Sequence, residues 1–534
     1  MLEIKRTIFS GARFITMNDF TPEAECLCTI DGRIECLGSR EEVIASLGSA
    51  PYEEVDLGGG VVYPGFIDTH SHLSAFSNAL NWAECGLSKG NIAGVLDTLR
   101  TWADEYPEGW IIGYGFDDTG MPENRHLTRS ELDAVCKDRP IIVGHISLHL
   151  GYFNTKALEL LGLDKGGEVP GGLVEMGPDG TPTGVLYEMA FLNAQATLPL
   201  YSLERIRDNM IRAMQVYASK GITTFMDGGV GCIGGASEFL QIYMDLARKG
   251  DMPIRGYLQM MPAEIDSPLG YKLFDFNDDY LRTGGVKLFI DGSIQGYTAA
   301  LKEGYHTRPE HRGDTVCTPE ELTENIIRFH ASGVQVAVHA NGDQGAEIVI
   351  SAFEKAAAMY PGRDLRHMLL HAQTVSDEHL RRMKAIGVIP TFFVRHVEVW
   401  GDRHKKFFLG PERASRMDPC GSAVALGIPF GLHVDSPILP PTVLGSMHVA
   451  VNRITSGGEV LGPDQRISAR EAVKAYTTYA AFCCASEFDR GQLSPGRFAD
   501  FVLLDRSIEE SDPLTIRDIC VKATFCGGRK VYER

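Results

Sequence analysis

Apolar runs that alternate with amphipathic helical stretches dominate the chain from about residue 202 onward. Four of the helical stretches end in a glycine that an apolar run follows at once, at Gly221, Gly333, Gly387 and Gly427. Glycine readily adopts the left-handed conformation that closes a helix, and a near-continuous apolar run is typical of a strand buried in a parallel sheet. The pattern therefore predicts repeated βα units.

Eight apolar runs have the character of strands in one sheet: GFIDTHSHL, ITTFMDG, IRGYLQM, VKLFIDGS, VQVAVHANG, HMLLHAQ, VIPTFF and PFGLHVDS. Strands in this number that alternate with helices predict an α/β protein built on a (β/α)8 TIM barrel. Two helices also carry capping signals at their starts, Thr318 with Glu321 and Ser468 with Glu471.

Both ends of the chain differ from this pattern. Residues 7–62 and 498–533 contain short alternating strands with glycine turns, and neither segment has enough apolar surface to stand alone. We therefore expect a small β-sandwich made from both termini. Residues 74–201 are too long for a βα loop and predict a subdomain inserted after the first barrel strand.

These features predict a definite domain organisation. The two parts of the β-sandwich are expected at residues 1–62 and 491–534. The barrel with its insertion is expected at residues 63–453, and the final barrel helix region at residues 454–490.

Composition limits the classes of function. The 534 residues are 44% hydrophobic and 23% charged, which is typical of a soluble globular protein with a sizeable core. A formal net charge of −19 disfavours nucleic acid as a partner, because the protein would repel a polyanion. No segment has the pattern of a signal peptide or a membrane span, so we expect a cytoplasmic protein with no membrane partner. The acidic charge permits a homo-oligomer without selecting one.

Candidate metal chemistry begins at His70 and His72. Side chains two apart on a strand point to the same face, so both imidazoles would project from the end of the first barrel strand. Alone, this spacing fits two ordinary histidines as well as a metal chelate. The interpretation changes because His339, His371 and Asp435 also follow apolar runs directly, and the carboxyl ends of barrel strands are where active sites form.

Six motifs in order resemble the amidohydrolase superfamily: GFIDTHSH, VKLFIDGS, VHANGDQG, LLHAQ, HVDSP and GRFADFVLLD. The chain is most similar to the branch that contains N-substituted formamide deformylases and relatives of the exoenzyme regulatory protein. The resemblance covers about residue 55 to residue 505. Several dispersed motifs in the right order are hard to obtain by chance.

The resemblance implies a role for each motif residue. His70 and His72 would hold the more buried metal, and His339 and His371 a second one. Asp435 would be both a ligand and the general base. Because the ligands are imidazole nitrogens and carboxylate-type oxygens rather than thiolates, Zn²⁺ is expected, with Fe²⁺ or Mn²⁺ as alternatives and with one or two ions.

Lys287 in VKLFIDGS matches the position at which the family carboxylates a lysine. An ammonium group cannot bind a cation, whereas a carbamate offers two anionic oxygens that can bridge two metals. The alternative is an ordinary lysine at a strand end that pairs with Asp291.

The implied activity is hydrolysis of a carbon–nitrogen bond in a small non-peptide amide, such as an N-acyl, N-formyl or cyclic amide. Metal-activated water would attack, and Asp435 would serve as general base. Hydrolysis of an ester or lactone at the same site is an alternative. A regulatory or ligand-binding protein without turnover is another, although such a protein has no need of a base beside a metal.

Four further residues are candidates for substrate binding: His149, His396, Gln295 and Tyr297. A structural hydrogen-bonding role for His149 is equally compatible with its motif. Gln295 and Tyr297 stand where the family has small residues and arginine, so the substrate of a relative does not transfer directly. His433 lies two residues before Asp435 and could pack beside the site, whereas His306, His311, His404 and His448 are interpreted as ordinary histidines.

Overall fold

The computed structural model describes residues 6–147, 150–170, 172–198, 201–230, 236–276 and 278–534. The chain folds as two compact units, one of residues 1–74 and 210–534 and the other of residues 75–209. The domain limits expected from the sequence stay a prediction. Among the residues that the structure describes, none of the helices has the length and apolar character needed to cross a bilayer.

The regular elements are numbered here along the chain. The strands are β1 (Arg6–Ser10), β2 (Arg13–Ile15), β3 (Glu23–Ala24), β4 (Cys26–Ile30), β5 (Arg33–Gly38), β6 (Glu53–Asp56), β7 (Val61–Pro64), β8 (Phe66–Ser71), β9 (Ala83–Glu84), β10 (Ile111–Phe116), β11 (Ile141–His145), β12 (Leu150–Phe153), β13 (Gly172–Met176), β14 (Pro182–Glu188), β15 (Ile222–Val230), β16 (Arg255–Met260), β17 (Leu281–Phe289), β18 (Val336–Ala340), β19 (Met368–His371), β20 (Ile389–Phe392), β21 (Gly431–Leu432), β22 (Phe501–Leu504), β23 (Val521–Cys526) and β24 (Arg529–Glu533). The α-helices are α1 (Arg40–Leu47), α2 (Leu73–Ala79), α3 (Ile92–Glu105), α4 (Arg129–Val135), α5 (Thr155–Leu161), α6 (Met189–Ala196), α7 (Leu203–Ala218), α8 (Ala236–Lys249), α9 (Pro262–Ile265), α10 (Pro268–Asp275), α11 (Pro319–Ala331), α12 (Asp343–Met359), α13 (Asp377–Ile386), α14 (Arg395–Arg403), α15 (Gly410–Arg416), α16 (Cys420–Ala425), α17 (Val443–Asn452), α18 (Ala469–Ala475) and α19 (Thr478–Cys483). A π-helical turn, His404–Phe408, continues α14.

Eight parallel strands form the barrel in the order β21-β20-β19-β18-β17-β16-β15-β8. The two edges of this sheet meet, because the hydroxyl of Thr69 donates to the backbone oxygen of Leu432 at 3.0 Å. The backbone N–H of Asp435 also donates to the oxygen of His70 at 3.2 Å. Every residue of β8 and β15 is buried, as expected for strands covered on both faces. The predicted (β/α)8 barrel is confirmed.

All eight predicted strands are present, although some of their limits differ from the apolar runs. Strand β17 begins at Leu281, ahead of the run VKLFIDGS, whereas β21 contains only Gly431–Leu432. Just beyond this short last strand, the N–H of Val434 donates to the Asp68 carboxylate at 3.2 Å.

Glycine closes the helices where the sequence predicts it. Gly221, Gly333, Gly387 and Gly427 have positive φ angles of 81°, 75°, 69° and 63°. Thr318 forms the predicted capping box with Glu321 at the start of α11. At α18, Ser468 accepts the backbone N–H of Glu471.

Two sheets beside the barrel contain the ends of the chain. One has the order β5-β4-β1-β6, and the other, β24-β23-β22-β7-β2-β3, combines strands from both termini. Phe9, Phe501 and Phe525 pack in their shared core, with the last two rings stacked 4.5 Å apart. In the second unit, a separate sheet has the order β13-β14-β12-β11-β10-β9.

A buried ion pair joins the barrel to the terminal sheets. The guanidinium of Arg255, on β16, donates to both carboxylate oxygens of Asp500 at 2.7 and 2.9 Å, and Gly527 N–H donates to the same carboxylate at 2.7 Å. The Arg255 guanidinium also lies over the Phe498 ring, 3.7 Å from its centroid. Burial alone would raise the pKa of Asp500. The charge and hydrogen bonds of Arg255, the charge of Arg490 and the N–H of Gly527 together outweigh burial and lower that pKa.

Asp500→Asn should destabilise the barrel unit by about 3–5 kcal/mol, because it leaves a buried guanidinium without its counter-ion. The carboxylate with a lowered pKa stabilises the fold above the pKa it has when unfolded. That contribution is lost as the pH falls, so the difference between wild type and variant should narrow below about pH 4. Urea unfolding midpoints measured across this pH range check both effects.

Asp364→Asn is the matched control, since the Asp364 side chain is 67% exposed beside Arg366. Its effect should stay below about 1 kcal/mol. Equal effects of the two substitutions would contradict the structural importance of the buried pair.

Candidate metal centre

Three of the predicted site residues meet where the barrel closes. The Nε2 atoms of His70 and His72 lie 3.5 and 3.4 Å from Oδ1 of Asp435. His70 is fully buried and Asp435 is 5% exposed. One ligand atom from each of the three residues lies within 4.8 Å of the others, a spacing that can hold a metal ion.

The neighbouring strands bring the other predicted residues to the same place. Lys287, on β17, is fully buried, and its Nζ is 3.3 Å from Nε2 of His70. His371, at the end of β19, has its Nδ1 atom 3.9 Å from Oδ2 of Asp435. The ring of His339, on β18, lies 4.5 Å from the ring of His371. All six residues predicted from the sequence therefore converge.

His339 is held by the loop after β17. Its Nε2 atom is 3.0 Å from the backbone oxygen of Gly292 and 3.8 Å from Oδ1 of Asp291. Asp291 accepts backbone N–H groups from Ala300, Asn341 and Gly342 at 2.8 to 3.0 Å. Asp291 thus organises the loops around His339.

His433 was not assigned as a ligand from the sequence, yet it is central to this arrangement. Its ring is 5.1 Å from the rings of both His70 and His371. His371, His433 and Asp435 form a second group whose ligand atoms lie within 4.8 Å of one another. The two-residue spacing to Asp435 was the available signal, but it did not separate a ligand from a packed histidine.

Several buried polar atoms at this centre have no hydrogen-bond partner among the described residues. They are Nδ1 of His70, Nδ1 of His371 and both ring nitrogens of His433. Buried polar groups are normally satisfied, so this concentration indicates that a bound group belongs here. Imidazole nitrogens and a carboxylate are suitable donors for a divalent metal such as Zn²⁺.

Burial sets the protonation states that a metal requires. It is the main cause that lowers the pKa of His70 and of His371 well below the usual value, and it lowers that of His433 to about 3. Burial raises the pKa of Asp435, but several other causes together hold that pKa below its usual value. The largest of these lowering causes is the hydrogen bond with His72. The centre therefore offers neutral imidazoles and an ionised carboxylate.

Two of these residues have unusual backbone conformations. His371 and Asp435 have φ angles of 66° and 53°, in the left-handed region that residues with a side chain rarely adopt. Both stand where the chain leaves a barrel strand. Such conformations persist where surrounding contacts impose them, commonly at functional sites.

The candidates for substrate contact have different surroundings. Gln295 has a buried Oε1 atom without a partner among the described residues. Tyr297 packs between the Arg308 guanidinium, 3.8 Å from its ring centroid, and the Phe408 ring at 4.8 Å. His396, on α14, is 4% exposed. His149 lies outside the described residues.

Comparisons with known proteins agree with this geometry. A family model described as the amidohydrolase family matches residues 53–532. The YtcJ protein of Bacillus subtilis, named as a candidate amidohydrolase, is 29% identical over 99% of this chain and 100% of its own. The N-substituted formamide deformylase of Arthrobacter pascens is 26% identical over 100% of this chain and 99% of its own. A metal-dependent hydrolase from Pyrococcus furiosus superimposes with a TM-score of 0.75 and 26% identity, covering 95% of this chain and 100% of that one.

Gly228→Ala should disturb the centre sterically, because a Cβ atom at this position would lie 2.2 Å from Nδ1 of the enclosed His70 ring. We expect the affinity for Zn²⁺ to fall by about 10- to 100-fold, as when groups that orient metal ligands are lost. Zinc titration followed by elemental analysis of the washed protein measures this change.

Gly144→Ala is the control, since its Cβ would meet its nearest neighbour, Phe191, at an ordinary 3.7 Å. This variant should bind Zn²⁺ as the wild type does. Unchanged zinc affinity in a folded Gly228→Ala protein would argue against His70 as a ligand.

Proposed function

This chain belongs to the amidohydrolase family and is a metal-dependent hydrolase of carbon–nitrogen bonds, and we propose that its substrate is a small non-peptide amide. The observation that carries this proposal is the convergence of His70, His72 and Asp435 at the joint of the barrel. Nδ1 of His70 and both ring nitrogens of His433 are buried there without a hydrogen-bond partner among the described residues. Such a set suits hydrolysis better than ligand storage, because it combines metal-binding nitrogens with an ionised carboxylate.

We assign the metal ligands to two overlapping groups. His70, His72 and Asp435 would hold one ion, with Lys287 beside them as a carbamate. His371, with His339 or His433, would hold a second ion that shares Asp435. A Zn²⁺ ion bound there would activate water and polarise the carbonyl group of the amide.

Asp435 moves the proton in this proposal. Its carboxylate takes a proton from the attacking water as the water oxygen forms a bond to the carbonyl carbon. The same proton then passes to the amide nitrogen as the carbon–nitrogen bond breaks, so that a carboxylic acid and an amine leave. The lowered pKa of Asp435 keeps the carboxylate available to accept the proton.

N-formyl and N-acyl amines are the first substrates to test. One full-length relative is an N-substituted formamide deformylase, which supports an amide with a small acyl group. The loop that carries Gln295 and Tyr297 would shape the remainder of the pocket together with His396. Because loops determine specificity on a shared barrel, the substrate need not be that of the relative.

Asp435→Asn should lower kcat on the best amide of such a panel by about 10²- to 10⁴-fold, because asparagine cannot accept the proton. Metal content should remain near the wild-type level, because the histidine ligands are retained. Steady-state kinetics and elemental analysis of the same preparation measure both quantities.

Asp464→Asn removes an equal charge at an exposed position and should leave kcat unchanged. If Asp435→Asn hydrolyses amides as fast as this control, Asp435 is not the base. Matched esters in the panel address the alternative: hydrolysis of esters alone would contradict an amide substrate.

Lys287 provides a separate test of the centre. An ammonium group buried beside His70 is costly, whereas a carbamate would bring negative charge toward the metal ligands. Protein prepared with ¹³C-bicarbonate should give a carbamate carbon resonance that disappears in Lys287→Arg, since arginine cannot form it. A wild-type spectrum without this resonance, in metal-loaded protein, would rule out the modification.

A further inference from the structure

Four buried polar side chains lie beside the metal centre without belonging to it. Gln373, His404 and Asp418 are fully buried, and His396 is 4% exposed. We refer to these four residues as the Asp418 cluster. They come from three separate segments: the loop after β19, the helical region from α14 to His404, and the turn before α16.

The Asp418 cluster is tied directly to the metal centre. Gln373 is two residues beyond His371, and its backbone oxygen accepts the N–H of Asp418 at 2.8 Å. The His396 ring lies 6.5 Å from the ring of His371. Phe393 bridges the two groups, since its ring is 4.7 Å from His396 and 5.3 Å from His433. A molecule held by the cluster would therefore lie next to the reaction site.

The contacts within the cluster leave polar atoms unsatisfied. Nε2 of Gln373 is 3.1 Å from Nε2 of His404, and Nδ1 of His396 approaches Oδ1 of Asp418 at 3.5 Å. Three buried atoms have no such contact among the described residues: Oε1 of Gln373, Oδ2 of Asp418 and Nδ1 of His404. Two of these three atoms are acceptor oxygens, so the missing partner offers N–H or O–H donors.

The charge of the cluster further defines that partner. Arg453 is buried nearby, but its guanidinium donates to the backbone oxygens of Met417 and Asp418 at 2.8 and 3.2 Å. Among the described residues, no cation donates a hydrogen bond to the carboxylate of Asp418. A buried carboxylate is costly without a charged or hydrogen-bonded partner, so a cationic donor fits better than a neutral one.

Aromatic rings enclose the cluster. Phe393 and Trp400 lie 4.7 and 5.7 Å from the His396 ring, and Phe408 lies 5.5 Å from the His404 ring. Aromatic faces attract cations, and they stabilise ammonium and amidinium groups that have been removed from water. These rings contact His396 and His404, and His396 in turn approaches the Asp418 carboxylate. A carboxylate close to aromatic groups is a common way to bind an organic cation.

The backbone around the cluster is irregular at two of its members. His404 opens the π-helical turn His404–Phe408, and Asp418 has a φ angle of 48°. π-Helical turns and left-handed residues are concentrated at functional sites, where they aim particular side chains. Here the irregular segments carry His404 toward Gln373 and Asp418 toward His396.

We propose that the Asp418 cluster is a subsite for a cationic N–H donor, namely an ammonium or amidinium group. Given the hydrolytic function proposed above, on which this assignment of a substrate rests, the amide would carry such a group close to its scissile bond. Asp418 and Gln373 accept the hydrogen bonds of the cation. The surrounding rings exclude water, and the Asp418 carboxylate favours the charged form of the ligand.

Benzamidine and benzamide provide a matched pair of probes, because they have nearly the same shape and only benzamidine is a cation. Isothermal titration calorimetry on the metal-loaded, full-length protein measures their affinities without requiring turnover. We expect benzamidine to bind about tenfold or more tightly than benzamide, the difference that a charge-assisted hydrogen bond provides. Equal affinities would overturn the proposal.

Asp418→Asn keeps the size of the side chain and should abolish this preference. Asp464→Asn, which removes an exposed charge, should retain it. Circular dichroism checks that both variants fold. An unchanged preference in a folded Asp418→Asn protein would contradict the assignment to Asp418.

A crystal structure of the wild type with benzamidine does not depend on the stability of any variant. Amidinium nitrogens within hydrogen-bond distance of the Asp418 carboxylate would support the subsite, and benzamidine bound elsewhere would overturn it. The two proposals can also fail separately. If the protein prefers the cation but hydrolyses no amide, the subsite is supported and the hydrolytic function is contradicted. If it hydrolyses amides without preferring the cation, the hydrolytic function is supported and the subsite is contradicted.

Discussion

Closure of the parallel sheet is the constraint on which the rest of this structure depends. In a closed parallel barrel every strand ends at the same rim, so side chains that are far apart in the sequence meet there. The contact between β8 and the segment after β21 is a direct example, because the N–H of Asp435 donates to the backbone oxygen of His70. The hydrogen bond that helps to close the barrel thus also fixes two proposed metal ligands relative to each other. Loss of barrel closure would therefore also disrupt the centre.

Burial then determines the charge of the centre. It lowers the pKa of His70 and His371 well below the usual value, so these imidazoles are neutral and their lone pairs are available. As an ammonium group, Lys287 would add a positive charge to this buried centre. That charge would repel a bound metal ion. A carbamate at the same position removes that conflict by replacing the cation with an anion. The proposed modification is therefore an electrostatic consequence of where the lysine lies.

The sequence is sufficient for the barrel, because glycine-terminated helices and apolar runs are local patterns with a physical cause. The same patterns brought His70, His72, His339, His371 and Asp435 to strand ends, where the structure has them. His433 was seen but not assigned, since same-face spacing does not reveal whether a ring packs or binds. His404 and Asp418 had no signal, because a π-helical turn and a left-handed aspartate arise from tertiary contacts.

This difference bears on how far relatives can guide the assignment of a substrate. The proposed ligands lie on or directly after barrel strands, whose positions a shared fold preserves. Asp418 and His404 lie on irregular segments, which change between barrel proteins far more readily than strands do. Similarity to a formamide deformylase therefore supports the type of bond that is broken more strongly than the group attached to it. The attached group has to be inferred from this chain's own loops, where a buried carboxylate beside histidines that contact aromatic rings favours a cation.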